Sequence, residues 1–96
     1  MSLLRIAETQ AGLYNMTSSI FDLRNVTLNP VTFTTTTQSA AFQSDTSVIR
    51  CISDVDCHIA YGTNPTATTD DLFLRANVEY DFYVAPGNKI AVVEAA

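Results

Sequence analysis

Val78, Tyr80, Phe82 and Val84 fall on one face of an extended chain, and Glu79, Asp81 and Tyr83 fall on the other. Alternation of this kind predicts a half-buried antiparallel strand, because successive side chains point to opposite faces. Pro86-Gly87 follows and predicts a type II turn, with Pro presetting φ at the second position and Gly accepting positive φ at the third. Lys89 to Val93 is then expected as the return strand. Upstream, residues 47–53 and 57–62 predict two further strands, joined at Ser53-Asp54-Val55-Asp56, where short Asp side chains favour a turn. Paired as a hairpin, they would set Ile52 opposite Cys57 and Cys51 opposite His58. Val31 and Phe33 share one face of a strand expected over residues 31–35, and Leu72-Phe73-Leu74 reads as a short apolar strand. Residues 38–46 read as a connection with a short extended piece around Phe42. Gly62-Thr63-Asn64-Pro65 breaks the chain, and a polar loop runs from Thr66 to Asp71.

Residues 1–30 have a less regular pattern. Leu3, Ile6 and Gln10 could share a helical face, but Gly12 ends it. Residues 19–28 alternate weakly, as a strand would, and Asn29-Pro30 predicts a break. Two alternatives stand for this segment: an extended arm that docks on a neighbour, or the first strand of the domain itself. The expected organisation is therefore residues 1–30 as arm or first strand and residues 31–96 as the domain.

Roughly six or seven short strands at spacings of about 8–12 residues, without a clear helix, predict an all-β fold. The expectation is a small antiparallel β-sandwich or barrel, jelly-roll-like, with an extended N-terminal arm. Ninety-six residues make one domain with a modest core. Composition adds a second point: 47% of residues are hydrophobic and only 16% are charged, so part of the surface is expected to serve contacts. The net charge of −5 is carried with five scattered cations, Arg5, Arg24, Arg50, Arg75 and Lys89. No basic patch exists to neutralise phosphates, which argues against nucleic acid and against an anionic membrane. No apolar run is long enough for a transmembrane helix, and the first twelve residues do not read as a secretory signal.

Candidate chemistry is sparse. His58, the only histidine, adjoins Cys57, but neighbouring strand residues diverge. Cys51, across the expected hairpin, is the better-placed partner for a nucleophile–base pair. No oxyanion hole or third group accompanies it, so a hydrogen-bonded structural histidine is the preferred reading and no enzyme is expected. Cys51, Cys57, His58, Asp54 and Asp56 form one loose cluster without the paired spacing of a structural zinc site. Two reduced, partly buried thiols are expected, with a bridge across the hairpin as the alternative. Asp70-Asp71 and Glu79/Asp81 read as surface charge. The sequons at Asn15 and Asn25 read as chance. No cofactor is expected.

Four segments together carry a resemblance: Val48-Ile49-Arg50-Cys51, Asp56-Cys57-His58-Ile59-Ala60-Tyr61-Gly62-Thr63-Asn64-Pro65-Thr66-Ala67, Leu74-Arg75-Ala76-Asn77 and Tyr80 to Val93. They resemble a group of small virion structural proteins of tailed bacteriophages, over about half the chain. Arg75 departs from the proline frequent at that place, and residues 1–30 lie outside the resemblance. The resemblance implies a capsid decoration or cement protein on the virion surface, assembled in the host cytoplasm. Its implied partners are the major capsid protein and further copies of itself, a trimer suiting quasi-threefold lattice positions. Leu3, Leu4, Ile6, Leu13, Tyr14, Phe21, Leu72, Phe73 and Tyr83 are the candidate contact residues. The alternative is a tail or fibre module that binds a host receptor or glycan through Tyr61, Tyr83 and the loop at 62–71.

Overall fold

In the computed structural model, residues 2–9 and 26–95 are described. Among them lie β1 (Ser2–Thr9), β2 (Thr27–Leu28), β3 (Val31–Phe33), β4 (Thr37–Gln38), β5 (Val48–Ser53), β6 (Cys57–Gly62), β7 (Leu72–Leu74), β8 (Tyr80–Tyr83) and β9 (Lys89–Glu94). They form two antiparallel sheets. One has the order β2-β1-β5-β8, with β3 also on β1; the other has the order β4-β9-β6-β7. The all-β sandwich expected from the strand pattern is present.

β1 is a strand with period two, not a helical turn. Leu4, Ile6 and Glu8 point inward, while Leu3, Arg5 and Ala7 point outward. It is the first strand of the domain and lies inside its sheet. Six of its residues pair with β5, from Leu4 opposite Ser53 to Thr9 opposite Val48. Its other edge takes β2 and β3. Thr27 opposite Glu8 and Phe33 opposite Ser2 keep one register, so these two pieces form a single line. Asn29-Pro30 lies between them without redirecting the chain: Asn29 N donates to Ile6 O at 2.8 Å in the same register, and Pro30 follows where no N–H is needed toward β1. Of the strand expected over residues 19–28, only Thr27–Leu28 falls among described residues that form a strand.

Neither adjacent strand pair is a hairpin. β5 pairs with β1 and β8; β6 pairs with β9 and β7. The residues from Ser53 to Asp56 therefore carry the chain from one sheet to the other. His58 lies opposite Phe73 and Val93 rather than opposite Cys51. The acidic side chains explain the corner. Asp54 Oδ1 accepts from Leu3 N at 2.9 Å, and Asp54 N donates to Leu3 O at 3.2 Å, which fixes the corner to β1. Asp56 Oδ1 accepts from Ala76 N at 2.8 Å, and its carbonyl accepts from Ala95 N at 3.0 Å, which fixes the far side. Pro86-Gly87 repeats the pattern. Gly87 has φ +83°, as the third position of a type II turn requires. The turn nevertheless leads from β8 in one sheet to β9 in the other. It is tied there by Gly87 N to Phe42 O at 3.0 Å and Phe42 N to Asn88 O at 2.9 Å.

The core lies between the sheets. Leu4, Ile6, Val31, Phe33, Ile49 and Cys51 come from one side, and Cys57, Ile59, Leu74, Ile90 and Val92 from the other; Phe42 enters from the connection. Full burial of each large apolar side chain stabilises by about 1.5–3 kcal/mol. One charged group is buried among them. Glu8 Oε1 accepts from Gln43 N at 2.9 Å and Thr46 Oγ1 at 2.8 Å, and Oε2 accepts from Asn29 Nδ2 at 2.9 Å. Asn29 in turn bonds both ways with the main chain of Ala40. Glu8 thus joins β1 to the segment before β3 and to the connection after β4. Glu8→Ala leaves these donors buried without an acceptor and is expected to lower unfolding free energy by about 3 kcal/mol, against under about 0.5 kcal/mol for exposed Arg5→Ala. Urea denaturation of the two variants checks this, and equal midpoints would contradict it.

Candidate functional site

His58 lies on the outer face of its sheet. Its Nδ1 is 3.0 Å from Asp71 O, and its ring packs against Phe73 at a centroid distance of 5.3 Å. It fastens the start of β7 to β6, which is the structural role preferred from the sequence. Cys51 and Cys57 are free thiols, wholly buried on the inner faces of opposite sheets. Burial pushes the Cys51 thiol up to about 12, reinforced by the nearby Cys57 and Asp81. Burial also raises Cys57, against a hydrogen bond with Ser53 that lowers it. Among the described residues no group of three or more His, Cys, Asp or Glu is arranged to hold a metal.

The paired carboxylates separate as well. Asp81 takes a two-point contact from Arg50, Nε to Oδ1 at 2.8 Å and Nη2 to Oδ2 at 3.0 Å, with Glu79 3.7 Å from the same guanidinium. The Asp81 hydrogen bond raises the Arg50 pKa further. This fork clasps β8 to β5 across the outer face. Asp71 Oδ2 accepts from Thr68 N at 2.7 Å and Thr68 Oγ1 at 3.2 Å, closing the loop before β7. That loop covers the outer face of its sheet. Gln38 Nε2 donates to Asn64 Oδ1 and Pro65 O, both at 2.8 Å, and Ala67 N donates to Thr36 Oγ1 at 3.0 Å.

The remaining feature is a cleft. β7 ends one sheet and β8 ends the other, and the two edges lie on the same side of the sandwich. Between them is a cavity of about 450 Å³ with Ile59 and Ile90 at its base and Leu72, Phe82, Tyr83 and Val84 along its walls. Phe82 and Val84 are only half-buried, and among the described residues no strand pairs with β8 on this side. Tyr61 stands at the end of the cleft. Its phenol oxygen accepts from Ala85 N at 2.6 Å and Asn88 Nδ2 at 2.9 Å, which holds the segment between β8 and β9.

The candidate contact residues divide accordingly. Leu72 and Tyr83 are brought together at the cleft, 56% and 71% exposed, and Phe73 is exposed on the adjoining outer face. Leu4 and Ile6 are buried in the core and have no surface to offer a partner; Leu3 is half-buried on the outer face of β1. Their assignment as contacts fails for Leu4 and Ile6 because the strand's inward face is already filled. Leu13, Tyr14 and Phe21 lie outside the described residues. Ile59, Phe82, Val84 and Asp71 belong to the cleft but were not singled out beforehand. The Val78–Val84 alternation did indicate an inward face, but not that this face ends at an open edge.

No family model, no curated protein and no solved structure matches the chain. The cleft's chemistry is therefore the basis for a functional reading. One consequence of the buried thiols is directly measurable. A raised thiol pKa means that the folded protein keeps a proton which the unfolded chain releases near its ordinary thiol pKa. Stability is therefore full below about pH 8.5 and falls as pH rises toward 12. Comparison of wild type with Cys51→Ala by denaturant titration between pH 8 and 10.5 checks this: the variant is expected to lose less stability with rising pH. An equal loss in both would contradict it.

Proposed function

We propose that this chain is a non-enzymatic structural protein of a tailed-bacteriophage virion, a decoration protein that binds the outside of the head. There it stabilises contacts between capsomers of the major capsid protein. The observation that carries the reading is that Leu72 and Tyr83, both exposed, border one cleft on the edge strands of a charge-poor sandwich. Isolated exposed apolar residues are ordinary, but a cluster beside an open apolar cleft marks an interaction surface. The resemblance of residues 48–93 to phage virion proteins supplies the kind of assembly.

The physics suits that role. Apolar burial at an interface is non-directional and adds with each copy, so a modest contact repeated on a lattice holds by avidity. A homotrimer at quasi-threefold positions would multiply it further. A tail or fibre module that recognises a receptor or glycan is the second reading, favoured by the two tyrosine rings at the cleft.

Expanded empty capsids of the cognate phage, mixed with the protein and sedimented, separate the two. Stoichiometric co-sedimentation with a raised temperature of capsid disruption is expected. Adsorption to host cells with no capsid binding would replace the first reading by the second.

A further inference from the structure

We infer that the cleft between β7 and β8 receives an extended peptide segment of the partner, laid along β8, with alternate apolar side chains in the cleft and a basic side chain at Asp70 and Asp71. The inference rests on the reading of the chain as an assembly module, and it names the chemistry of what that module binds.

Three observations point to a peptide. The first is the edge. Among the described residues β8 pairs with β5 alone, and the bond from Val84 N to Ser47 O sets the alternation of its ladder. By that alternation the main-chain groups of Asp81 turn away from β5, toward where a further strand would lie. Strand addition of this kind supplies affinity through main-chain hydrogen bonds and specificity through pockets for every second side chain. The second is the lining. Ile59, Leu72, Phe82, Val84 and Ile90 are apolar, and 450 Å³ accommodates more than one large side chain. The polar groups at hand are already engaged, Tyr61 by Ala85 and Asn88, and Asp71 by Thr68. A sugar, which requires several convergent hydrogen bonds, finds few here. The third is charge. Asp71 lines the cleft, Asp70 adjoins it exposed, and no Lys or Arg is among the described lining residues.

The same charge argues against a second copy of this chain as the occupant. β8 carries Asp81 and no cation, so a second β8 laid along it would bring no basic side chain to Asp70 and Asp71.

The test uses the full chain, isotopically labelled, titrated with an acetylated, amidated peptide of alternating leucine and threonine that ends in arginine. Saturable amide shifts are expected at residues 59–61, 71–74 and 80–84. Replacing the arginine by glutamate, or making Leu72→Ser or Tyr83→Ser, is expected to weaken binding about fivefold or more, whereas Leu28→Ser, equally exposed but remote, leaves it unchanged. These side chains lie at the surface, so the variants retain the fold. No saturable shift, shifts elsewhere, or equal affinity for the glutamate peptide would overturn the inference. A response at the cleft to oligosaccharide in place of peptide would also overturn it. Capsid sedimentation distinguishes the two levels. A Leu72→Ser protein that still co-sediments fully rejects the cleft and leaves the capsid reading standing. A wild-type protein that binds the peptide but not capsids does the reverse.

Discussion

The rest of the structure depends on the ladder between β1 and β5. Six residues of β1 occupy one edge of β5, and β8 occupies the other. A strand paired on both edges has no edge left for its sequence neighbour. β6 must therefore leave the sheet at Asp54 and Asp56, and it finds β9 and β7 in the second layer. The same constraint acts at Pro86-Gly87, where the chain leaves β8 and enters the second sheet as β9. β8 and β9 thus each lie in the other sheet from the strand before them. β7 and β8 come last in their respective sheets, on one side, and the open cleft between them is the product.

The arrangement has a jelly-roll-like order, with β1 in the place that a last strand would take beside β3 and β5. The two ends of the described chain are adjacent as that order requires. The Ser2 hydroxyl donates to the Glu94 carboxylate, and Ala95 N reaches Asp56 O. Glu8 secures the insertion from within. Its carboxylate accepts from three donors, and among the described residues no salt bridge to it is found, so hydrogen bonds fix the geometry there.

Most elements were legible in the sequence, because periodicity and turn chemistry are local. The alternation at Val48–Ser53 and Cys57–Gly62, the Leu72–Leu74 strand and the positive φ at Gly87 all follow from residues within a few positions of one another. Pairing was not legible. Both expected hairpins assumed that a good turn joins neighbours in one sheet, and nothing within Ser53–Asp56 says that Asp54 will be held by Leu3, fifty-one positions away. Asn29-Pro30 was read as a break, and it does separate β2 from β3, but the line continues through it with Asn29 N bonded to Ile6 O. For the site, Leu72 and Tyr83 could be picked out as apolar residues near polar loops. Phe82, Val84 and Asp71 could not, since their membership depends on which two edges face one another.

β1 fills the position beside β5 and thereby sends β6 to the other sheet. Interstrand nuclear Overhauser contacts in the labelled full chain test it most directly. Contacts between Ile6 and Cys51 and between His58 and Val93 are expected. Contacts between Cys51 and His58, with none from β1 to β5, would show the hairpin instead and would contradict the cleft and everything built on it.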